Sequence, residues 1–310
     1  MRVFVTGASG FVGRWLVAEL EAGGHHPIPA PGPEILDITD EPSLESWLSR
    51  GGLPDAVVHL AGIAFGPDAT NDPASALRVN VGGTLAVFEV LRRLGVRPPV
   101  LVAGSSEVYG DPNPSELPLT EYSPIAARRP YGISKMAQEA VALEASVRYG
   151  FPVVITRSFN HTGPGQRPVF VVPAMARRVL AVKRGEARAI PAGNVSVERD
   201  LSDVRDVVRA YRLLIEAAAT GGLHAQCTVV NVASGATVSI RWVVEELCEF
   251  AGVTAPIETD PFLVRQGEAQ EIRGDRSLLT QLTQWQPRIP IQQTLADVFA
   301  DAESAVASEG

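Results

Sequence analysis

Tyr131 and Lys135 stand four residues apart in a stretch patterned as a helix, so both side chains leave the same face. A cation beside a phenol stabilises the phenolate and draws the tyrosine toward a pKa useful for proton transfer. Ser105 closes an upstream apolar run read as a strand, Pro99 to Gly104. A hydroxyl at the C-terminal end of a strand lies where parallel sheets build their sites, and it could hold a substrate oxygen beside the tyrosine. A Tyr-x-x-x-Lys spacing alone is common on ordinary helices. It gains meaning from the N-terminus.

There, Val3 to Gly13 reads VFVTGASGFVG: a β-branched and aromatic run, glycines at 7, 10 and 13, then an apolar helical pattern. A strand that turns sharply into a helix N-terminus makes an anion site, because its first N–H groups are unpaired and the helix dipole points its positive end outward. Gly7 permits the turn, Gly10 lets a pyrophosphate approach, and Gly13 lets strand and helix pack closely. This context separates a dinucleotide site from a Gly-rich turn without a ligand.

The elements that position these residues alternate. Strands are expected at His25–Ala30, Asp55–Leu60, Pro99–Gly104 and Val153–Thr156, and helices at Glu41–Arg50, Ala74–Leu94 and Tyr131–Tyr149. That order is the pattern of a parallel sheet covered on both faces. The second strand should end near Pro31, where dinucleotide folds commonly carry a carboxylate for the adenosine ribose. Glu34 is the nearest one, and no arginine stands nearby in sequence for a 2′-phosphate. Asp37 could accept from an adenine amino group, with Thr39 or Asp40 capping the next helix.

From about Asn160 the texture changes. Gly163-Pro164-Gly165 breaks the alternation, and helices are expected over Met175–Lys183, Leu201–Ala219, Ser239–Phe250 and Thr294–Ala307, with a strand at Val229–Val232. The chain has 310 residues, 45% hydrophobic, and a net charge of −8. An acidic balance without a basic run argues against nucleic acid or an anionic membrane as partner. No apolar run reads as a membrane span. Cys227 and Cys248 lie in apolar surroundings, which fits reduced thiols in a cytoplasmic protein, and the five histidines lack metal-ligand spacing.

TGASGFVG, HLAG at 59–62, SSEVYG at 105–110 and YGISK at 131–135 resemble the extended short-chain dehydrogenase/reductases that act on nucleotide sugars. RSFNHTGPGQ at 157–166, ERDLSDVRD at 198–206 and RQGEAQEIRGD at 265–275 extend the resemblance to the whole chain. It implies an α/β fold: a Rossmann-like, doubly wound parallel sheet (residues 1–160) with a smaller mixed C-terminal subdomain (161–310) for the nucleotide sugar. For an NAD(P) cofactor it implies Gly7, Gly10, Phe11, Val12 and Gly13 at the pyrophosphate and Asp37 and Ile38 at the adenine. Leu60, Ala61, Gly62 and Asn80 would serve the same cofactor, the first three on its nicotinamide side. Tyr131 would be the acid/base, Lys135 would hold the nicotinamide ribose, and Ser105 and Glu107 would complete the catalytic set. Ser106, Glu107, Asn160, Arg199, Arg265 and Glu268 would meet the substrate, with the arginines on phosphate and Glu268 on the nucleotide ribose. From the residues alone, Asn160 could be a turn former. Arg199 could pair with Asp200 or Asp203, and Arg265 with Glu268 on the surface.

Sugar dehydratases of this family follow the serine or threonine with Asp-Glu. Here Ser106 stands in the aspartate's place, and a serine cannot supply that proton at neutral pH. The resemblance therefore favours reduction of the C4 ketone of a nucleotide-linked 4-keto-6-deoxy sugar, with GDP as the expected nucleotide, without fixing NADH against NADPH. An NAD-dependent nucleotide-sugar 4-epimerase is the alternative, and a catalytically idle dinucleotide-binding regulator the third reading. A homodimer through the helices starting near Ala74 and Tyr131 is also implied, with Leu85, Phe88, Leu91, Val141 and Leu143 on their faces.

Overall fold

The computed structural model describes residues 1–223, 226–264 and 267–309. Its first strands are β1 (Arg2–Thr6), β2 (His26–Pro29), β3 (Ala56–His59), β4 (Val100–Ala103) and β5 (Val153–Ser158). Then come β6 (Asn160–Thr162), β7 (Ile190–Ala192), β8 (Glu198–Asp203), β9 (Cys227–Val232), β10 (Thr237–Ser239), β11 (Ile257–Thr259) and β12 (Glu271–Ile272). The helices are α1 (Phe11–Ala22), α2 (Glu41–Gly51), α3 (Gly66–Asn71), α4 (Pro73–Leu77), α5 (Gly83–Arg93) and α6 (Pro130–Tyr149). After them run α7 (Val171–Lys183), α8 (Val204–Ala219), α9 (Ile240–Ala251), α10 (Ser277–Thr283) and α11 (Ile291–Glu309).

The central sheet has the order β2-β1-β3-β4-β5-β9, every neighbour parallel. The chain steps outward from β1 to β2 and then crosses back to β3. The order thus reverses beside β1, and the C-terminal ends of β1 and β3 open a crevice. Both faces of the sheet are covered, which is why its inner strands read as unbroken apolar runs: all of β3 is buried. Leu16, Leu20, Val207 and Tyr211 of α1 and α8 cover one face, and Leu44, Phe88, Leu91 and Ala142 of α2, α5 and α6 cover the other. The proline-broken β2 sits at the sheet edge, where a missing N–H costs least. A further core packs α7, α9 and α11 around Val179, Val243, Leu247 and Val298, and β8 forms a small sheet with β6, β10 and β12.

Three expectations change. The helix expected over Leu201–Ala219 is split: β8 runs to Asp203, whose carboxylate then caps α8 by accepting from Arg205 N at 2.7 Å. The long helix over Ala74–Leu94 is interrupted by a π turn, Arg78–Gly82, between α4 and α5. Gly83 explains part of the glycine pair, since a Cβ there would meet Ile38 Cγ2 at 2.7 Å, whereas Gly82 faces open space. Finally, Pro73–Arg93 is by length and composition apolar enough to cross a membrane, though half of its apolar window is buried in the fold. Of the residues named for the outer helix faces, Phe88 and Leu91 are core, while Leu85 and Leu143 are exposed.

Candidate active site

The turn after β1 is built as a cradle. Gly7 has φ +67°, and a Cβ on it would meet Ala61 N at 2.8 Å. A Cβ on Gly13 would overlap Gly7 O and come within 2.6 Å of Ala8 Cα, so only glycine lets α1 start this close to β1. Gly10 is the N-cap of α1 and offers no side-chain acceptor to the first N–H groups. They are left for an anion, the feature a dinucleotide pyrophosphate requires.

A cavity of about 850 Å³ begins at this turn and crosses the ends of β1, β3 and β4 to the smaller subdomain. Gly7, Gly10, Phe11, Val12 and Gly13 line it at one end, with Asp37, Ile38, Leu60, Ala61 and Gly62 alongside. Asp37 accepts from Thr39 N (2.9 Å) and Thr39 Oγ1 (2.8 Å), bonds that hold its carboxyl below the usual carboxylate range. Capping of α2 falls to Asp40, which accepts from Ser43 N. Sequence distance hid one cation: Arg78, from the π turn, reaches this end of the cavity, with Nη1 3.6 Å from Asp37 Oδ2. No arginine is near Pro31 along the chain, but the fold brings Arg78 to this end of the cavity.

Asn80 sits behind the cavity wall. It is fully buried, outside the cavity lining, where Oδ1 accepts from Ile63 N (2.7 Å) and Nδ2 donates to Ser134 Oγ (2.9 Å). Ser134 in turn donates to Tyr131 O (2.7 Å). Asn80 thus ties the loop after β3 to the start of α6. The widened π turn carries it on the inner side of the helix.

Pro130 opens α6 and places Tyr131 and Lys135 one turn apart, with Lys135 Nζ 5.9 Å from the Tyr131 ring centre. Ser105 lies at the mouth of β4, with its hydroxyl toward the Tyr131 phenol. Its Oγ also accepts from Glu107 N at 3.2 Å. Ser105, Glu107 and Tyr131 line the cavity; Ser106 is buried beside it and does not. Burial pushes Tyr131 above the usual phenol range, with Ser105 opposing that shift, and it draws the Lys135 ammonium down to about 8. Lys135 itself lies behind the lining, donating to Ala103 O (2.9 Å).

Beyond Tyr131 the cavity passes Asn160 and His161 and ends at Arg199 and Glu268. Arg199 pairs with neither Asp200 nor Asp203. Its Nη2 lies 2.7 Å from Glu268 Oε1, and Nη1 donates to Ala269 O at 3.0 Å. Asp200 is instead occupied by Ser234 and Gly235, and Asp203 by Arg205 and Thr294. Arg265 lies outside the described residues. Sequence reasoning also missed Phe65, Phe170 and Arg178, which line this end; the two rings pack edge to face at 5.2 Å. Phe65 and Phe170 had no signal beyond a place just before a helix, and Arg178 read as one more cation of the basic α7.

A doubly wound parallel sheet, a glycine cradle at its switch point, Ser105 and Tyr131 facing the same cavity and Lys135 behind them define a dinucleotide-dependent oxidoreductase. The NAD dependent epimerase/dehydratase family matches residues 3–233, and the chain belongs to it, as an extended short-chain dehydrogenase/reductase. It is 38% identical to the GDP-6-deoxy-D-mannose reductase of Pseudomonas aeruginosa over 99% of both chains. The structure of RMD from the same organism, complexed with NADPH, superposes with a TM-score of 0.89 at 37% identity, over 98% of this chain and 99% of that one. A UDP-glucose 4-epimerase from Thermotoga maritima, solved with UDP-glucose, gives 0.85 at 26% identity, over 99% and 100%.

Proposed function

We propose that the protein reduces the C4 ketone of GDP-4-keto-6-deoxy-D-mannose with NAD(P)H, giving GDP-D-rhamnose or its C4 epimer. One observation carries the reading. A single cavity joins the glycine cradle, the Ser105–Tyr131 pair and the Arg199–Glu268 pair, while Ser106, standing where dehydratases have an acid, is turned out of it. The full-length similarity to a GDP-6-deoxy-D-mannose reductase supports the choice of sugar and of base.

The cofactor, when bound, supplies the hydride. The Gly7–Gly13 turn would hold its pyrophosphate and Asp37 and Ile38 its adenine. Gly62 leaves room for the Asn80 amide beneath the nicotinamide side, since a Cβ there would meet Asn80 Oδ1 at 2.7 Å and sit 3.7 Å from Lys135 Nζ. Ser105 donates a hydrogen bond to the C4 carbonyl oxygen. As C4 gains hydride, the C=O electron pair moves to oxygen, and Tyr131 gives that oxygen its phenolic proton. The Lys135 ammonium stabilises the phenolate until solvent returns the proton. Arg199 presents its fork to the diphosphate, with Glu268 fixing its orientation.

The same reading includes a homodimer. Leu85 on α5 and Met136, Leu143 and Val147 on α6 are exposed apolar side chains on adjacent helices, Val147 at 76%. A Leu143→Asp, Val147→Asp variant should sediment as a monomer where the native chain sediments as a dimer. Free Cys227 and Cys248 accord with a reducing, cytoplasmic setting; burial raises both thiols, Cys227 to about 11.

The reductase and epimerase readings part on stoichiometry. A reductase consumes one NAD(P)H per keto sugar. An epimerase releases bound NAD on denaturation and interconverts nucleotide hexoses with no net consumption, and that result would sink the proposal.

A further inference from the structure

Behind the cavity, a set of buried polar side chains forms one continuous chain of hydrogen bonds. Lys135 Nζ donates to Gln138 Oε1 at 2.8 Å, and Gln138 Nε2 donates to Thr84 Oγ1 at 2.8 Å. Thr84 Oγ1 donates to Asn80 O at 2.7 Å. His59 Nε2 lies 3.0 Å from the same Thr84 oxygen, and His59 Nδ1 lies 2.8 Å from Thr6 Oγ1. Thr6 Oγ1 accepts from both Leu60 N and Ala61 N at 3.1 Å. Lys135 is 5% exposed, and Thr6, His59, Thr84 and Gln138 are each 1% or less.

The polarity of this chain is fixed by counting protons. Thr84 has one hydroxyl proton, and Asn80 O can only accept it. Thr84 Oγ1 must therefore accept from His59, which puts the imidazole proton on Nε2. Burial keeps the ring neutral, with a pKa drawn down to about 3, so Nδ1 carries a lone pair and accepts from Thr6. Thr6, its proton spent, accepts two backbone N–H groups. Every member has a partner and no alternative arrangement satisfies them all, which rigidifies a buried network.

Two of the three Lys135 protons are thus committed, to Gln138 and to Ala103 O, and the third is left beside Gly62 and Tyr131. We propose that Gln138, held from behind by Thr84 and His59, is the positioning residue for the Lys135 ammonium. The same chain, continued through Thr6, couples that ammonium to the Leu60–Ala61 backbone against which the nicotinamide would lie. The site reading above is assumed in the catalytic half of this proposal only. Groups facing Lys135 are His59 from β3, and Tyr131 and Glu139 from α6; Glu107, from the turn after β4, faces Tyr131.

Lys135 and Lys183 are the only lysines in the sequence. Lysine-selective isotope labelling therefore gives two side-chain signals, and Lys183→Arg assigns them. In the cofactor-free protein, Gln138→Met removes an acceptor from the ammonium and should lower the Lys135 titration midpoint by about one unit. Gln138→Glu supplies a negative acceptor and should raise it by about as much. In the NADPH-loaded enzyme the alkaline limb of the kcat profile should move the same two ways. In Gln138→Met kcat should fall about threefold at pH 7.5, as a one-unit drop of the Lys135 midpoint from about 8 requires, with the sugar KM unchanged and Gln138→Glu restoring the rate. A role confined to packing predicts losses of one sign and no opposed shifts. If Gln138→Met does not fold, the nearly isosteric Gln138→Glu decides alone. An unmoved Lys135 signal in a folded Gln138→Glu variant overturns the proposal whatever the substrate. Moved lysine signals in a protein inert toward the keto sugar would uphold the positioning role and remove only the proposed reaction.

Discussion

Lys135 Nζ stands 5.9 Å from the centre of the Tyr131 ring, one turn away on the same face of α6. The cation is buried and drawn down to about 8, while the phenol is pushed above its ordinary range. Reduction needs the phenol protonated and the lysine charged. Its kcat should therefore be flat below pH 7 and fall as pH rises through about 8, where the ammonium discharges. A pH series of initial rates at saturating substrates checks this.

Removing the phenolic hydroxyl leaves the cradle and the lysine chain intact. Tyr131→Phe should lower kcat by about 10²–10⁴-fold, the usual worth of a positioned acid. NADPH binding, read by fluorescence quenching, should stay within about fivefold, since one hydrogen bond of about 1 kcal/mol is at most involved.

Arg78 is the cation facing the adenosine end, where β2 ends in Pro29 and is followed by Ala30 and Pro31, with no carboxylate for a ribose 2′-hydroxyl. NADPH should be preferred to NADH. Arg78→Ala should raise the KM for NADPH about tenfold and leave that for NADH nearly unchanged, because only a 2′-phosphate engages the guanidinium. Paired initial-rate series with the two cofactors measure it.

Arg199 and Glu268 are 2.7 Å apart, and Arg199 is 6% exposed. Cutting one partner strands a buried charge, at a cost of about 3–5 kcal/mol. Arg199→Met should raise the KM for the nucleotide sugar by about a hundredfold or more and lower the melting temperature, with the double variant Arg199→Met, Glu268→Gln recovering stability but not binding.

His59, neutral with a pKa of about 3, regains an ordinary value near 6.5 on unfolding. The unfolded chain then binds the extra proton between those limits, so its contribution to stability is complete above pH 6.5 and is lost as pH falls toward 3. Denaturant melts should weaken by a few kcal/mol, on the order of the linkage integral, between pH 7 and 4. His59→Gln should flatten that slope.

The cradle and the Tyr131–Lys135 pair were legible because local spacing alone sets their geometry: glycines where a Cβ cannot fit, and a four-residue step on a helix. The alternation of elements likewise revealed a sheet buried on both faces. What escaped was long-range. Arg78 meets Asp37 across 41 positions only because a π turn swings it there. Arg199 chose Glu268, 69 residues on, over nearer aspartates that helix and loop N–H groups had already claimed. The β8 strand before α8 was hidden because its pairing partners lie far away in sequence. Gln138 carried no signal at all; its role exists only once α5, α6 and β3 are packed together.

The central claim is hydride delivery to C4 with the proton from Tyr131. Its most direct measurement uses NADPH deuterated at the transferable position, with GDP-4-keto-6-deoxy-D-mannose, and product NMR for the native enzyme and Tyr131→Phe. One deuterium at C4 of a 6-deoxyhexose, one NADPH consumed per product, and near-complete loss in the variant are expected. Unlabelled product, label at another carbon, or turnover retained by Tyr131→Phe would contradict it.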